Sequence, residues 1–197
     1  MNKIDVSELV RKSIHLFNMI IPLVHIYIIK DKMDMLTFLS LMLIFCFFIE
    51  IFRTKYFLLS KFFKKYLFFI MRHSEKEGGI TGATWVFAGS LLTIILVPKP
   101  FCIVALLFLA VGDTFAALIG INYPFLKIGR KTLSGSIGCF VTCCIIGSLF
   151  SFSLNTSTVI FGAFIATLTE LSSIKINDNL SIPIFSGLSM YFFNISL

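Results

Sequence analysis

Charge is what this chain has least of. Only 14% of its 197 residues are Asp, Glu, Lys or Arg, where a soluble domain carries roughly 25%. That shortfall excludes an ordinary water-exposed surface. No internal repeat and no low-complexity linker divides the chain, so it reads as one domain over residues 1–197. No small-residue cleavage site follows the first apolar run, so a cleaved leader is not expected and that run is expected to be retained as a helix. The five cysteines, Cys46, Cys102, Cys139, Cys143 and Cys144, lie inside apolar segments without metal-ligand spacing. They read as small packing residues rather than a disulfide framework or a thiolate metal site. A Walker A loop, G-x-x-x-x-G-K-[ST], is also missing, which excludes the common phosphate-binding loop.

What is present is apolar. Hydrophobic residues make up 57% of the chain, 24 of them Phe, and mean hydropathy is +0.96. The apolar runs predict an all-α, polytopic helical membrane protein. Seven spans are expected, at about 14–29, 36–52, 83–97, 101–120, 135–154, 158–174 and 180 to the C-terminus. Between the second and third, residues 55–71 set Lys61, Lys64 and Lys65 among Phe and Leu at helical spacing. That pattern predicts an amphipathic helix lying in the membrane interface.

The net charge of +7 does not point to nucleic acid, because the basic residues sit at the ends of apolar runs. With a cytoplasmic N-terminus and alternating sides, only Lys30, Lys32 and Lys99 of the lysines and arginines fall outside. The positive-inside bias supports that topology and a C-terminus on the opposite side. The same count brings His15, Glu50, Glu75, Glu77, Asp113, Lys131, Glu170 and Asp178 to within about two helical turns of the cytoplasmic face. A transporter would set polar groups near the midplane. One-sided clustering suits an enzyme that joins a soluble co-substrate to a lipid.

Asp113, after Gly112, is an acid inside an apolar run, and such groups are costly and usually functional. It suits a hard divalent cation with phosphate oxygens; the alternative is an ion pair between helices. Gly112 allows close approach of a ligand or of another helix. Arg130, Lys131, Thr132, Ser134, Gly135 and Ser136 form a basic, glycine-containing turn that opens a helix, where free amides and the helix dipole suit phosphate. Gly78, Gly79, Thr81, Gly82 and Thr84 open another helix, either as a phosphate or nucleoside cradle or as a flexible turn. Glu170 sits within an apolar run, and Asp178-Asn179 follow in a turn. Arg11, Lys12 and His15 share the first helix, where His15 reads as a packing residue before a catalyst.

In this order, Arg11-Lys12-x-x-His15, Gly79-x-Thr81-Gly82-Ala83-Thr84, Gly112-Asp113-Thr114-x-Ala116, Lys131-Thr132-x-x-Gly135-Ser136, Glu170 and Asp178-Asn179-Leu180-x-x-Pro183 resemble the CTP-dependent lipid-alcohol kinases. That family covers dolichol kinase, phytol kinase and the yeast-type diacylglycerol kinase. The resemblance spans nearly the whole chain and implies transfer of the γ-phosphate of CTP to a membrane lipid alcohol with Mg²⁺. It implies Asp113, Glu170 and Asp178 as metal ligands, with Lys131 beside them in catalysis. Nucleotide binding would fall to Arg11, Lys12, His15, Thr81, Gly82, Thr84, Arg130, Thr132, Gly135, Ser136 and Asn179. Asp178 or Glu170 would take the proton of the lipid hydroxyl. Kinase members carry an acid before the Gly-Ser pair, where this chain has Ser134.

Parts of the set are also similar to CDP-diacylglycerol synthase, a cytidylyltransferase. That family's K-D-x-x-D-x-x-P-G-H-G-G-x-x-D-R run is replaced here by Asp178-Asn179-Leu180-Ser181-Ile182-Pro183. A transporter or scaffold without catalysis is the alternative of another class. The expected partners are a nucleotide, a lipid alcohol and the bilayer, not nucleic acid; a homodimer is left open.

Overall fold

The computed structural model describes residues 5–129, 131–151, 154–172 and 176–196, the side chains of Leu58 and Leu59 excepted. These residues form an all-α protein. Its helices are α1 (Val6–Phe17), α2 (Ile20–Tyr27), α3 (Lys32–Lys55), α4 (Phe57–Tyr66), the single turn α5 (His73–Lys76), α6 (Gly82–Leu96), α7 (Lys99–Asn122), α8 (Leu133–Leu149), α9 (Thr156–Leu171) and α10 (Asp178–Ser196). Between α7 and α8 lies a short antiparallel hairpin, β1 (Lys127–Ile128) and β2 (Lys131–Thr132), with Lys127 opposite Thr132. Its turn uses Gly129 at φ +62°, a region glycine enters without a Cβ penalty.

Local chemistry sets the helix ends. Asp31 caps α3, accepting from Met33 N at 2.7 Å and Asp34 N at 3.1 Å. Pro98 and Pro100 flank the first residue of α7, where a missing amide breaks no helical hydrogen bond. The first helix starts earlier than the expected span, at Val6, and breaks at Asn18–Met19. Pro22 is the cause: it has no amide for Asn18 O and its ring crowds that carbonyl. Asn18 O instead accepts from Ile21 N at 3.0 Å in a tighter turn.

The expectation of seven spans is not met by length. Among the described residues, three segments are long and apolar enough to cross a bilayer: Val6–Tyr27, Lys32–Lys55 and Lys99–Asn122. The apolar helices α6, α8 and α9 have 15, 17 and 16 residues. At 1.5 Å per residue they reach about 22–26 Å, short of the ~30 Å hydrocarbon core. α10 is longer, at 19 residues, but Asp178, Asn179, Asn194 and its serines dilute its hydropathy. The stretch expected to form an amphipathic helix, residues 55–71, contains α4, ten residues long.

α7 is the centre of the bundle. Buried side chains make up 78% of its apolar window, against 17% for α3, and α1, α2, α6, α8, α9 and α10 all pack on it. α3 turns Phe38, Leu41, Ile44, Phe45 and Phe48 outward, an apolar face suited to lipid rather than water. The α7–α8 crossing is close. A Cβ on Gly112 would fall 2.7 Å from Cys143 Sγ, and one on Gly135 would fall 2.6 Å from Ala116 O. Gly112 therefore serves the approach of another helix.

Candidate active site

Alternating helix directions bring the polar residues to one end of the bundle. The C-terminal parts of α3, α7 and α9 meet the N-terminal ends of α6, α8 and α10 there. Asp113, two to three turns from the end of α7, is buried. Its Oδ2 accepts from Lys12 Nζ at 2.6 Å, and Lys12 Nζ also donates to Asp113 O at 3.2 Å. His15, one turn along α1, places Nε2 3.6 Å from the same Oδ2 and 2.7 Å from Asn179 Oδ1. Asn179 Nδ2 in turn donates to Gly82 O at 3.2 Å. One network thus ties α1, α6, α7 and α10 through residues far apart in the chain.

A second cluster lies beside it. Lys131 Nζ is 2.8 Å from Glu170 Oε1 and 3.4 Å from Asp178 Oδ2, and it also donates to Glu170 O. Burial pulls the Lys131 ammonium down, but Glu170, its hydrogen bond and Asp178 outweigh that and hold it above the usual lysine value. The structure therefore brings together Lys12, Asp113, His15, Lys131, Glu170, Asp178 and Asn179. Arg11, which pairs with Glu8, lines the same region. Arg130 lies outside the described residues.

The two helix starts differ from the expected anion cradles. At α8, Thr132 Oγ1 accepts from Gly135 N at 3.2 Å and Leu126 O accepts from Leu133 N at 2.9 Å. Two of the amides expected to be free are already engaged. At α6, Glu50 Oε1 accepts from Thr81 N at 2.7 Å, Thr81 Oγ1 at 2.6 Å and Thr84 Oγ1 at 3.0 Å. Glu75 Oε1 accepts from Gly82 N at 2.8 Å. The positive end of α6 holds the protein's own carboxylates. Buried Arg53 fixes this arrangement, donating Nε to Glu50 Oε2 at 2.6 Å, Nη1 to Glu75 O at 2.9 Å and Nη2 to Gly79 O at 2.5 Å.

Two cavities adjoin at this end. One, of about 330 Å³, is charged: Asp113, Glu170, Asp178 and Lys131 line it with Thr132, Gly135 and Ser136. The other, of about 340 Å³, is mostly apolar, with Ile14, Ile49, Phe63, Leu67, Ile70 and Val86 on its wall beside His15, Asn179, Thr81, Gly82 and Thr84. Arg11, Lys12 and Arg72 line both and form the partition. Sequence reasoning assigned no site role to Arg72, Arg53, Glu50 or Glu75. The available signal was Glu50 three residues before Arg53 at the end of an apolar run, a helical ion-pair spacing.

Fold and site together define an apolar helical protein with an ionic centre buried at one end of the bundle. By sequence it belongs to one family with the uncharacterized protein RP860 of Rickettsia prowazekii (strain Madrid E). The two are 30% identical over 191 residues, 93% of each chain. It is also similar to the uncharacterized protein MJ1137 of Methanocaldococcus jannaschii, 28% identical over 182 residues, 89% of this chain and 88% of that one. No family model matches the chain, and no solved structure matches it.

Proposed function

We propose that the protein is an integral membrane lipid-alcohol kinase that transfers the γ-phosphate of CTP to the hydroxyl of a polyprenol, phytol or diacylglycerol-type lipid. In this reading the shorter apolar helices and α10 complete a seven-span bundle. The N-terminus and site face the cytoplasm and the C-terminus lies opposite. The observation that carries the reading is the pair of adjoining cavities, one charged and one apolar, with a basic wall of Arg11, Lys12 and Arg72 in common. A phosphate donor and a lipid acceptor need such a junction. Phosphoryl transfer needs mainly positioning and charge stabilisation, and the basic wall with Lys131 supplies both for a triphosphate.

The donor set fits a hard cation. Asp113, Glu170 and Asp178 offer carboxylate oxygens on one cavity wall. Among the described residues no three His, Cys, Asp or Glu side chains form a ready-made metal site. Mg²⁺ is usually held by one or two carboxylates plus substrate phosphates, so Asp113 with Glu170 or Asp178 would suffice. When bound, the ion would neutralise triphosphate charge. Lys12 and Lys131 orient those carboxylates, and the apolar wall excludes water from the acceptor hydroxyl.

The test uses purified protein in detergent with Mg²⁺, mixed lipid alcohols, and CTP labelled in the γ-phosphate or in the cytidine, with ATP as comparison. γ-Label in the lipid fraction is the expected result, and the labelled lipid names the acceptor. Cytidine label with pyrophosphate release would make the protein a cytidylyltransferase. Neither label would return it to a transporter or scaffold.

A further inference from the structure

Four lysine and arginine side chains line the two cavities, and three of them are already engaged. Arg11 pairs with Glu8, Lys12 with Asp113, and Lys131 with Glu170 and Asp178. The fourth is Arg72, which is half-buried. Its guanidinium makes no hydrogen bond or ion pair among the described residues, and Asp178 acts on it only through space. Its backbone, by contrast, is fixed. Arg72 N donates to Glu75 Oε2 at 2.9 Å, and Arg72 O accepts from Lys76 N at 3.0 Å. Glu75 is itself buried and takes Gly82 N on its other oxygen at 2.8 Å. Arg72 stands at the start of α5, but a guanidinium carries donors only and cannot cap the helix amides. The chain thus holds Arg72 in place while leaving its planar fork of donors unused by the protein.

The position of that fork decides what it can meet. Arg72 lines both the charged and the apolar cavity. In the kinase reading a phosphoryl group passes from a donor in the first to a hydroxyl in the second. Resting on that reading, we propose that Arg72 is a catalytic residue that binds the transferring phosphoryl group, with contacts strongest in the transition state. The acceptor oxygen forms a bond to the γ-phosphorus and releases its proton to solvent. The bond from that phosphorus to the β–γ bridging oxygen breaks, and its electron pair leaves on the nucleoside diphosphate. Between these events charge spreads over the equatorial oxygens. A planar fork holds a pair of such oxygens at once, which a lysine ammonium does not. Arg11 and Lys12 share the wall, but each must first leave a carboxylate.

The experiment compares wild type, Arg72→Met, Arg72→Lys and Arg72→Ala in detergent with Mg²⁺, γ-labelled CTP and the lipid alcohol that wild type labels. Because this side chain supports nothing in the fold, all three variants should keep the wild-type melting temperature and its rise with CTP–Mg²⁺. R72M should lose at least about 100-fold in kcat, the scale of an arginine that meets transition-state charge, with KM for CTP changed less than about 3-fold. R72K should stay at least about 10-fold below wild type, since a point charge replaces the fork. Free guanidinium should restore turnover to R72A and not to R72M, whose side chain fills the space. R72M with kcat within about 3-fold of wild type would overturn the assignment. So would a rise in KM alone, which would make Arg72 a donor-binding residue. A lowered melting temperature with no rescue of R72A would make it structural and overturn the assignment as well. Each of these leaves the kinase reading intact. Wild type without γ-label in any lipid would instead sink the kinase reading, and the role of Arg72 with it.

Discussion

Lys12 and Asp113 form a test of what the buried ionic centre is for. Their side chains meet at 2.6 Å and are only 7% and 10% exposed. Removing one partner from such a pair leaves an uncompensated buried charge and costs about 3–5 kcal/mol, whereas replacing both with apolar groups is often neutral or stabilising. Asp113→Asn strands the Lys12 ammonium; Lys12→Met strands the carboxylate, with His15 Nε2 3.6 Å away as its nearest cation if protonated. For a chain of this length each single change should lower the melting temperature by roughly 6–20 °C. The double variant Lys12→Met/Asp113→Leu should recover most of that loss. If Asp113 also serves as a ligand, millimolar Mg²⁺ with CTP should raise the melting temperature of K12M, where the carboxylate is freed, and leave D113N unmoved. Turnover should be lost in all three. Thermal unfolding in detergent and γ-phosphate transfer, run on the same preparations, give both readouts. A double variant that regains turnover with its stability would refute the reasoning and make the pair a structural strut.

Three further outcomes follow from the geometry. Arg53→Ala removes three hydrogen bonds around Glu50, Glu75 and Gly79; it should destabilise by about 3–5 kcal/mol and expose the 72–81 segment to limited proteolysis. Gly89→Ala would set a Cβ 2.1 Å from Asn179 O, so α10 must shift, and turnover should fall more than the melting temperature does, compared side by side. Lys131 titrates above the ordinary lysine value, so its stabilising contribution is fully present below the unfolded pKa of about 10.4 and is lost only as pH rises through the folded value. KM for CTP should therefore show no alkaline rise from this group between about pH 7 and 9.5, while Lys131→Met should raise it at every pH.

The helices were legible because their signals are local. Glycine, proline and lysine mark the ends of the runs at α6 and the start of α7, and those two helices fall within two residues of the expected 83–97 and 101–120, whereas α8, with no such mark after it, ends at Leu149 rather than at 154. What was not legible depends on pairs distant in sequence. Nothing in residues 72–84 says that Glu50, 31 residues before Thr81, fills the positive end of α6. The break at Asn18 could have been read from Pro22, since a proline denies its amide to the carbonyl four residues back. The same rule explains Asn179. Pro183 has no amide for Asn179 O, and the absence of a Cβ on Gly89 lets that carbonyl approach α6. The site residues Asp113, Lys131, Glu170 and Asp178 stood out as ions in apolar surroundings. Their pairing with particular lysines required the packing of α1 and the hairpin against α7 and α9.

The choice of cation separates two kinds of ionic cluster in this bundle. Where the carboxylate is Glu50, the cation is Arg53, and its planar fork spends its donors on one carboxylate and two backbone carbonyls of the 75–79 turn. A fork so engaged has one geometry, and it fixes the connection between α3 and α6. Where the carboxylates are Asp113, Glu170 and Asp178, the cations are Lys12 and Lys131. A lysine ammonium is a point charge on a flexible stem and can move to a phosphate oxygen without dismantling a turn. Of these two clusters it is the lysine-held carboxylates that border the charged cavity, beside Glu8 and its partner Arg11. The arginine-held cluster borders the apolar one through Glu75 and Thr81, as framework. Ion pairs that must hold still and ion pairs that must give way to a ligand are thus built from different residues on opposite sides of the same basic partition.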